Sequence, residues 1–150
     1  TRYFTEKKLG LEPLDKNFTF DYFNTQLKHH GNTSIKAVLL NQSLIGGIGN
    51  IYADDICWQS RVKPTRRVRT ITSLERKALH RATQKIIKQA ISLGGTSFSH
   101  YYQVDGKLGS YWKKRKVYGR TGEPCRRCRG TIKKTRCAGR GTHYCPGCQQ

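Results

Sequence analysis

The sequence contains no methionine at any of its 150 positions, not even at the first. A chain that begins at Thr1 is therefore expected to be processed, cut or part of a longer product. Acidic side chains are also scarce, because 29 Lys and Arg face only 9 Asp and Glu, for a formal net charge of +20. A charge of this size predicts a polyanionic partner and says little about the fold.

Long apolar runs are missing as well. No stretch of the sequence approaches the ~20 apolar residues that span a bilayer, and no basic helix pattern carries a broad Trp, Phe and Leu face. The sequence opens without a signal-peptide pattern. These features argue against a membrane partner. They predict a cytoplasmic, reducing setting, in which closely paired cysteines bind metal.

Four of the six cysteines form two C-x-x-C pairs with sixteen residues between them. Each pair can direct two thiolates at one ion, and two such pairs complete a closed tetrahedral Zn²⁺ site. Two disulfides or four unrelated thiols are the alternative, and the regular paired spacing favours one structural zinc. The predicted ligands are Cys125, Cys128, Cys145 and Cys148.

The segment between the two cysteine pairs predicts a β-hairpin. Two short β-prone runs surround a glycine-rich tip, residues 138–141, which carries Arg140. So small a hairpin buries no core of its own, and the metal has to supply its stability. Cys137 lies in the hairpin but matches neither pair, His143 is a minor alternative ligand, and Cys57 is predicted to be a buried, inert thiol.

Helical patterns dominate the preceding part of the chain. Thr19 and Ser34 (or Thr33) are candidate N-caps of two short helices. A capping box at Thr72 opens the longest helix, which continues to Leu93. The predicted buried face of that helix comprises Leu79, Ala82, Ile86, Ala90 and Leu93, widened by Leu74, Ala78 and Ile87.

A glycine-rich connection, residues 46–49, separates two of the predicted helices. Asn50 is predicted to cap the second of them, with Asp54 and Asp55 near its positive end. This geometry leaves backbone N–H groups open at the helix mouth, where a phosphate binds well. The alternative is that the glycines only allow two helices to pack closely. The positive net charge favours the interpretation as a phosphate-binding site.

Residues 96–111 are polar and aromatic without a clear period, which is typical of a functional or disordered loop. Their aromatic side chains could stack on bases or pack against the helices. From Lys107 to Arg140, thirteen Lys and Arg face a single acid, Glu123. We interpret this basic stripe as a nucleic-acid footprint.

Three motifs resemble those of bacterial formamidopyrimidine-DNA glycosylases: NQSLIGGIGNIYAD (41–54), VYGRTGEPC (117–125) and AGRGTHYCPGCQ (138–149). They follow in the family's order, and the resemblance extends from Leu9 onward. It implies a mainly α fold, a helix–two-turns–helix domain followed by a small β-hairpin zinc finger. Endonuclease VIII shares that architecture, but residues 96–111 and 138–143 resemble the first family more. The expected divisions are a lead-in (1–14), the helical domain (15–112) and the finger (113–150).

The resemblance implies that Asn50, with Gly49 and Ile51 beside it, and Arg140 grip DNA phosphates next to a damaged nucleotide. Lys36 occupies a family-like basic position, to which we assign a backbone contact only. Residues 97–111 correspond to a loop that closes over an everted oxidised purine. The implied lesion-loop residues are Ser97, Tyr101, Tyr102, Gly106, Lys107, Gly109 and Tyr111.

The family's nucleophile is an N-terminal proline next to a glutamate, in a separate β-rich domain. Its amine attacks the sugar, forms a Schiff base and cleaves the strand by β,δ-elimination. No residue of this chain matches that motif, so we expect no catalytic residue here. The resemblance thus implies the DNA-binding C-terminal half of a bifunctional glycosylase and abasic-site lyase for oxidised purines, a monomer on double-stranded DNA.

Two rival interpretations lack an enzymatic parent. One is a stand-alone zinc-finger nucleic-acid-binding protein, and the other is a basic, ribosome-associated zinc protein. The second would prefer structured RNA to damaged DNA. A β-patterned domain that opens with Met-Pro-Glu, encoded upstream in the same reading frame, would exclude both.

Overall fold

The computed structural model describes residues 9–94 and 107–150. Helices form most of the regular structure, and an antiparallel two-stranded hairpin follows them. This arrangement confirms the predicted fold class. The elements are α1 (Phe20–Lys28), α2 (Ile35–Leu40), α3 (Asn50–Ser60), a 3₁₀ turn (Val68–Thr70), α4 (Ser73–Ser92), α5 (Lys107–Lys114), β1 (Lys133–Cys137) and β2 (Arg140–Tyr144).

The predicted caps fix the starts of α1, α2 and α4. The side chains of Thr19, Ser34 and Thr72 each accept a hydrogen bond from a backbone N–H in the first turn. At α4 the capping box is complete, because Glu75 in turn accepts from the N–H of Thr72 at 2.9 Å. Each cap satisfies a donor that the helix itself leaves open.

Helix α4 has most of the predicted buried face, although Ala78 and Leu93 are only partly buried. Leu79, Ile86 and Ala90 are buried, but Leu74 is 79% exposed. An α-helix advances by 100° per residue, so Leu74 lies about 140° around the helix from Leu79 and faces away from the core. α4 is 20 residues long, yet within the described ranges no helix combines the length and the apolar character needed to cross a membrane.

Helix α3 contributes to two apolar clusters. Its side chains join α1, α2 and α4 in the main core, to which Tyr111 of α5 also belongs. At its C-terminal end Trp58 leaves that core and packs with Val117, Ile132 and two of the cysteines. α3 also packs against β2. Helix α3 therefore contacts the finger at both the hairpin and the cysteines.

The described end of the predicted lead-in is attached to the connection between α2 and α3. The N–H of Gly10 donates to the carbonyl of Gln42 at 2.9 Å, and the N–H of Gly46 donates to Leu11 at 3.1 Å. A Cβ on Gly10 would collide with the backbone carbonyl of Leu44. Residues 9–11, at the described end of the predicted lead-in, are thus a docked segment that requires glycine at position 10.

Candidate nucleic-acid interface

The mouth of α3 and the tip of the hairpin meet at one hydrogen bond. Asn50 is the first residue of α3, and its Nδ2 donates to the carbonyl of Gly141 at 3.2 Å. Gly141 follows Arg140 in β2. Two predicted phosphate-binding positions from distant parts of the sequence therefore lie side by side.

The prediction that Asn50 caps α3 is wrong. The N-cap is Gly49, which has no side chain to cap the helix, and the Asn50 amide is turned toward the hairpin. A Cβ added at Gly49 would meet no described atom within 4 Å, so the approach to the helix mouth is open. The amides of Asn50 and Ile51 belong to the first turn, where a helix provides no acceptor of its own. Such a mouth favours an anion.

Arg140 is exposed at the tip of the hairpin. Ala138 and Gly139 both have positive φ, 55° and 72°, which is the geometry of a two-residue type I′ turn. The turn places Arg140 opposite Cys137 as the first residue of β2. Within the described ranges its guanidinium has no hydrogen-bond or ion-pair partner, so the fork can hold one phosphate with two hydrogen bonds.

A buried charge cluster lies beneath this surface. Lys36 Nζ is 2.7 Å from Asp54 Oδ1 and donates to Thr142 Oγ1 at 2.8 Å and to the Gly141 carbonyl at 3.1 Å. Asp54 Oδ2 accepts from the backbone N–H of His143 at 2.9 Å and lies 3.2 Å from its Nδ1. Lys36 and Asp54 are fully buried and His143 nearly so. The cluster fastens β2 to α2 and α3.

This cluster corrects three predictions made from the sequence. Lys36 cannot contact a DNA backbone in this arrangement, because its ammonium group is buried and fully used inside the protein. Asp54 does not complement the dipole of α3, since it lies beyond the first turn and pairs with Lys36. His143 binds Asp54 and stays outside the thiol cluster.

Asp55 has a comparable structural role on the next residue of α3. It accepts hydrogen bonds from the backbone N–H groups of Lys116 and Val117, at 3.0 and 3.1 Å, and from the Tyr111 hydroxyl at 2.7 Å. Burial raises the pKa of this carboxyl, against the effect of those three bonds. The carboxylate thus ties α5 and the start of the finger to α3.

Tyr111 also corrects the interpretation of 96–111 as one continuous loop. Residues from Lys107 onward, Gly109 included, belong to α5. Tyr111 is fully buried and packs edge-on against Tyr52, so it is core and not a base contact. The rest of the predicted lesion loop lies outside the described residues, namely Ser97, Tyr101, Tyr102 and Gly106.

The four predicted zinc ligands converge. Their sulfur atoms lie within 4.8 Å of one another, with Cys128 3.4 Å from Cys145 and Cys125 3.8 Å from Cys148. Disulfide bonds at about 2 Å are excluded by these separations. Zn–S bonds of about 2.3 Å in a tetrahedron place the sulfurs about 3.8 Å apart. The four thiols therefore fit one structural zinc ion.

The surroundings of Cys125 favour a thiolate, whereas burial raises the pKa of Cys145 and of Cys148. Trp58 Nε1 donates to Cys125 Sγ at 3.2 Å. Burial raises the pKa of Cys125, but hydrogen bonds from the Cys128 amide and the Trp58 indole outweigh it, and the pKa is lowered to about 6. A Cβ at Gly147 would lie 3.1 Å from Cys128 Sγ, so a larger residue would crowd the cluster.

The two remaining cysteines lie apart from the metal ligands. Cys57 is fully buried in the helical core, as predicted, and burial raises the pKa of its thiol. Cys137 is buried at the end of β1, where its thiol donates to Ser34 Oγ at 3.4 Å and to the Pro64 carbonyl at 3.6 Å. It joins the hairpin to the start of α2.

Two family models match this chain. The first, described as formamidopyrimidine-DNA glycosylase H2TH domain, covers residues 9–101, and the second, described as zinc finger found in FPG and IleRS, covers residues 122–150. The chain belongs to the formamidopyrimidine-DNA glycosylase family.

Members of this family from several bacteria are similar over almost the whole chain. The formamidopyrimidine-DNA glycosylase of Listeria monocytogenes is 46% identical over 144 residues, which is 96% of this chain and 52% of the relative. That of Streptococcus thermophilus is 41% identical over 148 residues, 99% of this chain and 54% of the relative. The chain thus spans about half the length of the curated relatives it matches.

Solved structures of the formamidopyrimidine-DNA glycosylase family share the fold. A complex between the Lactococcus lactis Fpg and an abasic-site-containing DNA matches with a TM-score of 0.88 and 39% identity, over 99% of this chain and 54% of that chain. A complex of the same protein with FAPY-dG-containing DNA matches with a TM-score of 0.87 and 38% identity, over the same shares.

The basic stripe of this chain divides into exposed and structural cations. Arg120 is buried and donates to the carbonyls of Lys116 and Pro124, and Arg115 and Arg127 stack on Trp112 and Trp58, respectively. The interpretation of the whole basic stripe as a nucleic-acid footprint is therefore wrong, because several of its cations have structural roles. The exposed members are Lys113, Lys114, Arg126, Arg129, Lys133, Lys134, Arg136 and Arg140.

Proposed function

We propose that this chain is the DNA-binding half of a bifunctional DNA glycosylase and abasic-site lyase that excises oxidised purines in base-excision repair. Its relatives are named formamidopyrimidine-DNA glycosylases, and matching structures hold abasic-site or FAPY-dG DNA. The observation that carries the proposal is the hydrogen bond between Asn50 and Gly141. It supports a shared face for the helix mouth and the exposed Arg140.

The proposed grip uses two kinds of donor on one DNA strand. The Arg140 guanidinium supplies a bidentate contact to a phosphate, and the first-turn N–H groups of α3 supply a contact favoured by the helix dipole. Asn50 gives one N–H of its amide to Gly141, so its second N–H remains for a phosphate. Everting a base costs a few kcal/mol, which phosphate contacts of this kind offset.

We further propose that the segment between α4 and α5 closes over the everted base. Its candidate contacts are Ser97, Tyr101, Tyr102 and Gly106, with Lys107 and Gly109 at the start of α5. The Tyr111 hydroxyl is bonded to Asp55. Tyr111 would therefore anchor the end of this segment and would not touch the base.

We also propose that these 150 residues alone bind damaged DNA as a monomer in the cytoplasm without releasing a base. The buried ionisable side chains Lys36, Asp54, Asp55 and His143 are committed to one another and to the backbone. Groups held in this way are unsuited to act as a nucleophile or a general base, which must reach the substrate. In this proposal the chemistry belongs to the remainder of the glycosylase.

The experiment is a binding titration with a labelled duplex that carries a tetrahydrofuran abasic-site analogue. We expect tighter binding to this duplex than to an undamaged one, and structured RNA should compete poorly. Equal competition by the RNA would contradict the proposed function. Borohydride reduction on a duplex with a natural abasic site tests the inactivity separately, and a trapped covalent complex would overturn that part alone.

A further inference from the structure

Arg127 occupies the space between the zinc thiols and the C-terminal end of α3. Its guanidinium carbon lies 3.9 Å from the centroid of the Trp58 ring. One terminal nitrogen, Nη2, donates to Cys148 Sγ at 3.0 Å and to the Trp58 carbonyl at 2.8 Å. A single side chain thus contacts a metal ligand and both the ring and the backbone of Trp58.

Trp58 contacts a second zinc ligand, Cys125. Its indole N–H donates to Cys125 Sγ at 3.2 Å, and the backbone N–H of Arg127 donates to the same sulfur at 3.4 Å. Cys125 belongs to the first C-x-x-C pair and Cys148 to the second. The stacked Arg127 and Trp58 therefore bridge ligands from both halves of the site.

The charge of the site explains why an arginine suits this position. Four thiolates on one Zn²⁺ leave a net charge of −2, which a nearby cation stabilises. Arg127 is half-buried, and its Nε is buried without a hydrogen-bond partner among the described residues. The neighbouring Arg126 instead donates to the carbonyls of Arg115 and Lys113. Of these two adjacent arginines, only Arg127 faces the thiols.

We propose that Arg127 is a positioning residue that couples zinc occupancy to helix α3, by holding the Cys148 thiolate and Trp58 in one contact. Trp58 lies in the last turns of the helix that begins with Asn50. Zinc bound at one end of α3 then stabilises the helix whose other end meets the hairpin tip. This coupling does not depend on the DNA-binding proposal.

The test measures zinc release from the intact 150-residue chain into an excess of a chromogenic chelator. Outer contacts to metal ligands commonly change affinity by about 10–100-fold, so Arg127→Gln should accelerate release by at least about tenfold. Arg127→Lys keeps the charge but loses the planar fork, and we expect an intermediate rate. The matched control Arg126→Gln should stay near the parent rate.

A second readout follows Trp58 itself. In a Trp112→Phe background, Trp58 is the one remaining tryptophan of the sequence. Chelation should shift its emission in the parent, and Arg127→Gln should already show most of that shift with zinc bound. Release rates for Arg127→Gln and Arg126→Gln that agree within a factor of two would overturn the proposal. If Arg127→Gln does not bind zinc, the comparison of Arg127→Lys with Arg126→Lys decides by the same criterion.

Discussion

The two ends of helix α3 hold the finger by different chemistry. At the tip junction, formed by Lys36, Asn50, Asp54, Gly141 and His143, buried charges and an amide fasten β2. At the metal junction, formed by Trp58, Arg127 and the four clustered cysteines, an indole and a guanidinium contact thiols. The first junction needs only the protein, whereas the second needs a metal ion.

A metal ion and buried charges together keep so small a unit in a fixed position on the helical domain. The metal closes the base of the hairpin, where the finger has only a small apolar cluster. The tip junction sets the direction of the other end, because buried charges must keep their partners. Each junction can therefore be disrupted separately. Disruption of the metal junction should release zinc, and disruption of the tip junction should lower the free energy of unfolding.

The largest effect is expected at the metal junction. Cys128→Ser removes one of four ligands, and zinc binding contributes about 10–16 kcal/mol to the folding of zinc-finger peptides. We expect loss of zinc and unfolding of the finger, measured by metal content and by the chemical shifts of β1 and β2. The control Cys57→Ser changes a thiol buried in the helical core and should retain zinc. Equal zinc loss from both variants would mean that the ligand set is wrong.

At the tip junction, Lys36→Met should have the next largest effect. It leaves Asp54 buried without its cation, and breaking a buried pair in this way costs about 3–5 kcal/mol. The matched control is Glu123→Gln, which removes a carboxylate that is 53% exposed from its pair with the buried Arg120. Arg120 keeps its hydrogen bonds to two carbonyls, so this change should cost less than Lys36→Met. Urea unfolding with zinc present measures both. A Lys36→Met variant as stable as Glu123→Gln would contradict the importance of the cluster.

On the surface above the tip junction, Arg140→Ala should weaken DNA binding and leave folding unchanged. Hydrogen bonds to charged groups contribute roughly 1.5–3 kcal/mol, so affinity should fall by about tenfold or more. The magnitude of the slope of log affinity against log salt concentration should fall by about one, which is the contribution of one phosphate contact. Arg81→Ala, at an exposed position of α4, is the control. An unchanged slope for Arg140→Ala would show that the Arg140 side chain does not contact the DNA backbone.

The smallest effect concerns a half-buried ion pair beside the metal junction. Arg66 pairs with Glu75 at 3.0 Å and also donates to the carbonyl of Gln150. The hydrogen bond from Arg66 lowers the pKa of Glu75 from its ordinary value of 4.5. Because the folded-state pKa is depressed, the stabilisation is present above pH 4.5 and is lost as the pH falls through the lower folded value.

Glu75→Gln isolates this charge, because glutamine still completes a capping box. At pH 7 the variant should lose about 1 kcal/mol of unfolding free energy, as expected for a pair that is still partly open to solvent. Its unfolding curve should approach that of the parent at strongly acidic pH. A stability difference that is the same at neutral and acidic pH would exclude the ion pair as its cause.

Local sequence signals predicted much of this molecule. A cap acts on N–H groups two or three residues away, so Thr19, Ser34 and Thr72 could be identified without knowledge of the fold. The four zinc ligands were also found, because paired spacing is itself the signature of a metal site. Arg140 at the hairpin tip followed from the turn residues before it.

The buried charges could not be identified in the same way. Lys36, Asp54 and Asp55 look like surface residues, because their partners lie far away in sequence, 89 residues on for His143 and 61 for Lys116. One signal was available, since the two acids are embedded in an otherwise apolar stretch of α3 that is buried on most sides. The roles of Trp58 and Arg127 were missed for the same reason.

The most direct test of a shared phosphate-binding face is a double-mutant cycle in DNA binding. Asn50→Ala, Arg140→Ala and the double variant are titrated at one salt concentration against a duplex with the abasic-site analogue. Because the two positions meet through Gly141, we predict a coupling energy of about 0.5–3 kcal/mol, typical of residues that share a network. Losses that add to within about 0.3–0.5 kcal/mol would mean two independent positions and would contradict the shared face.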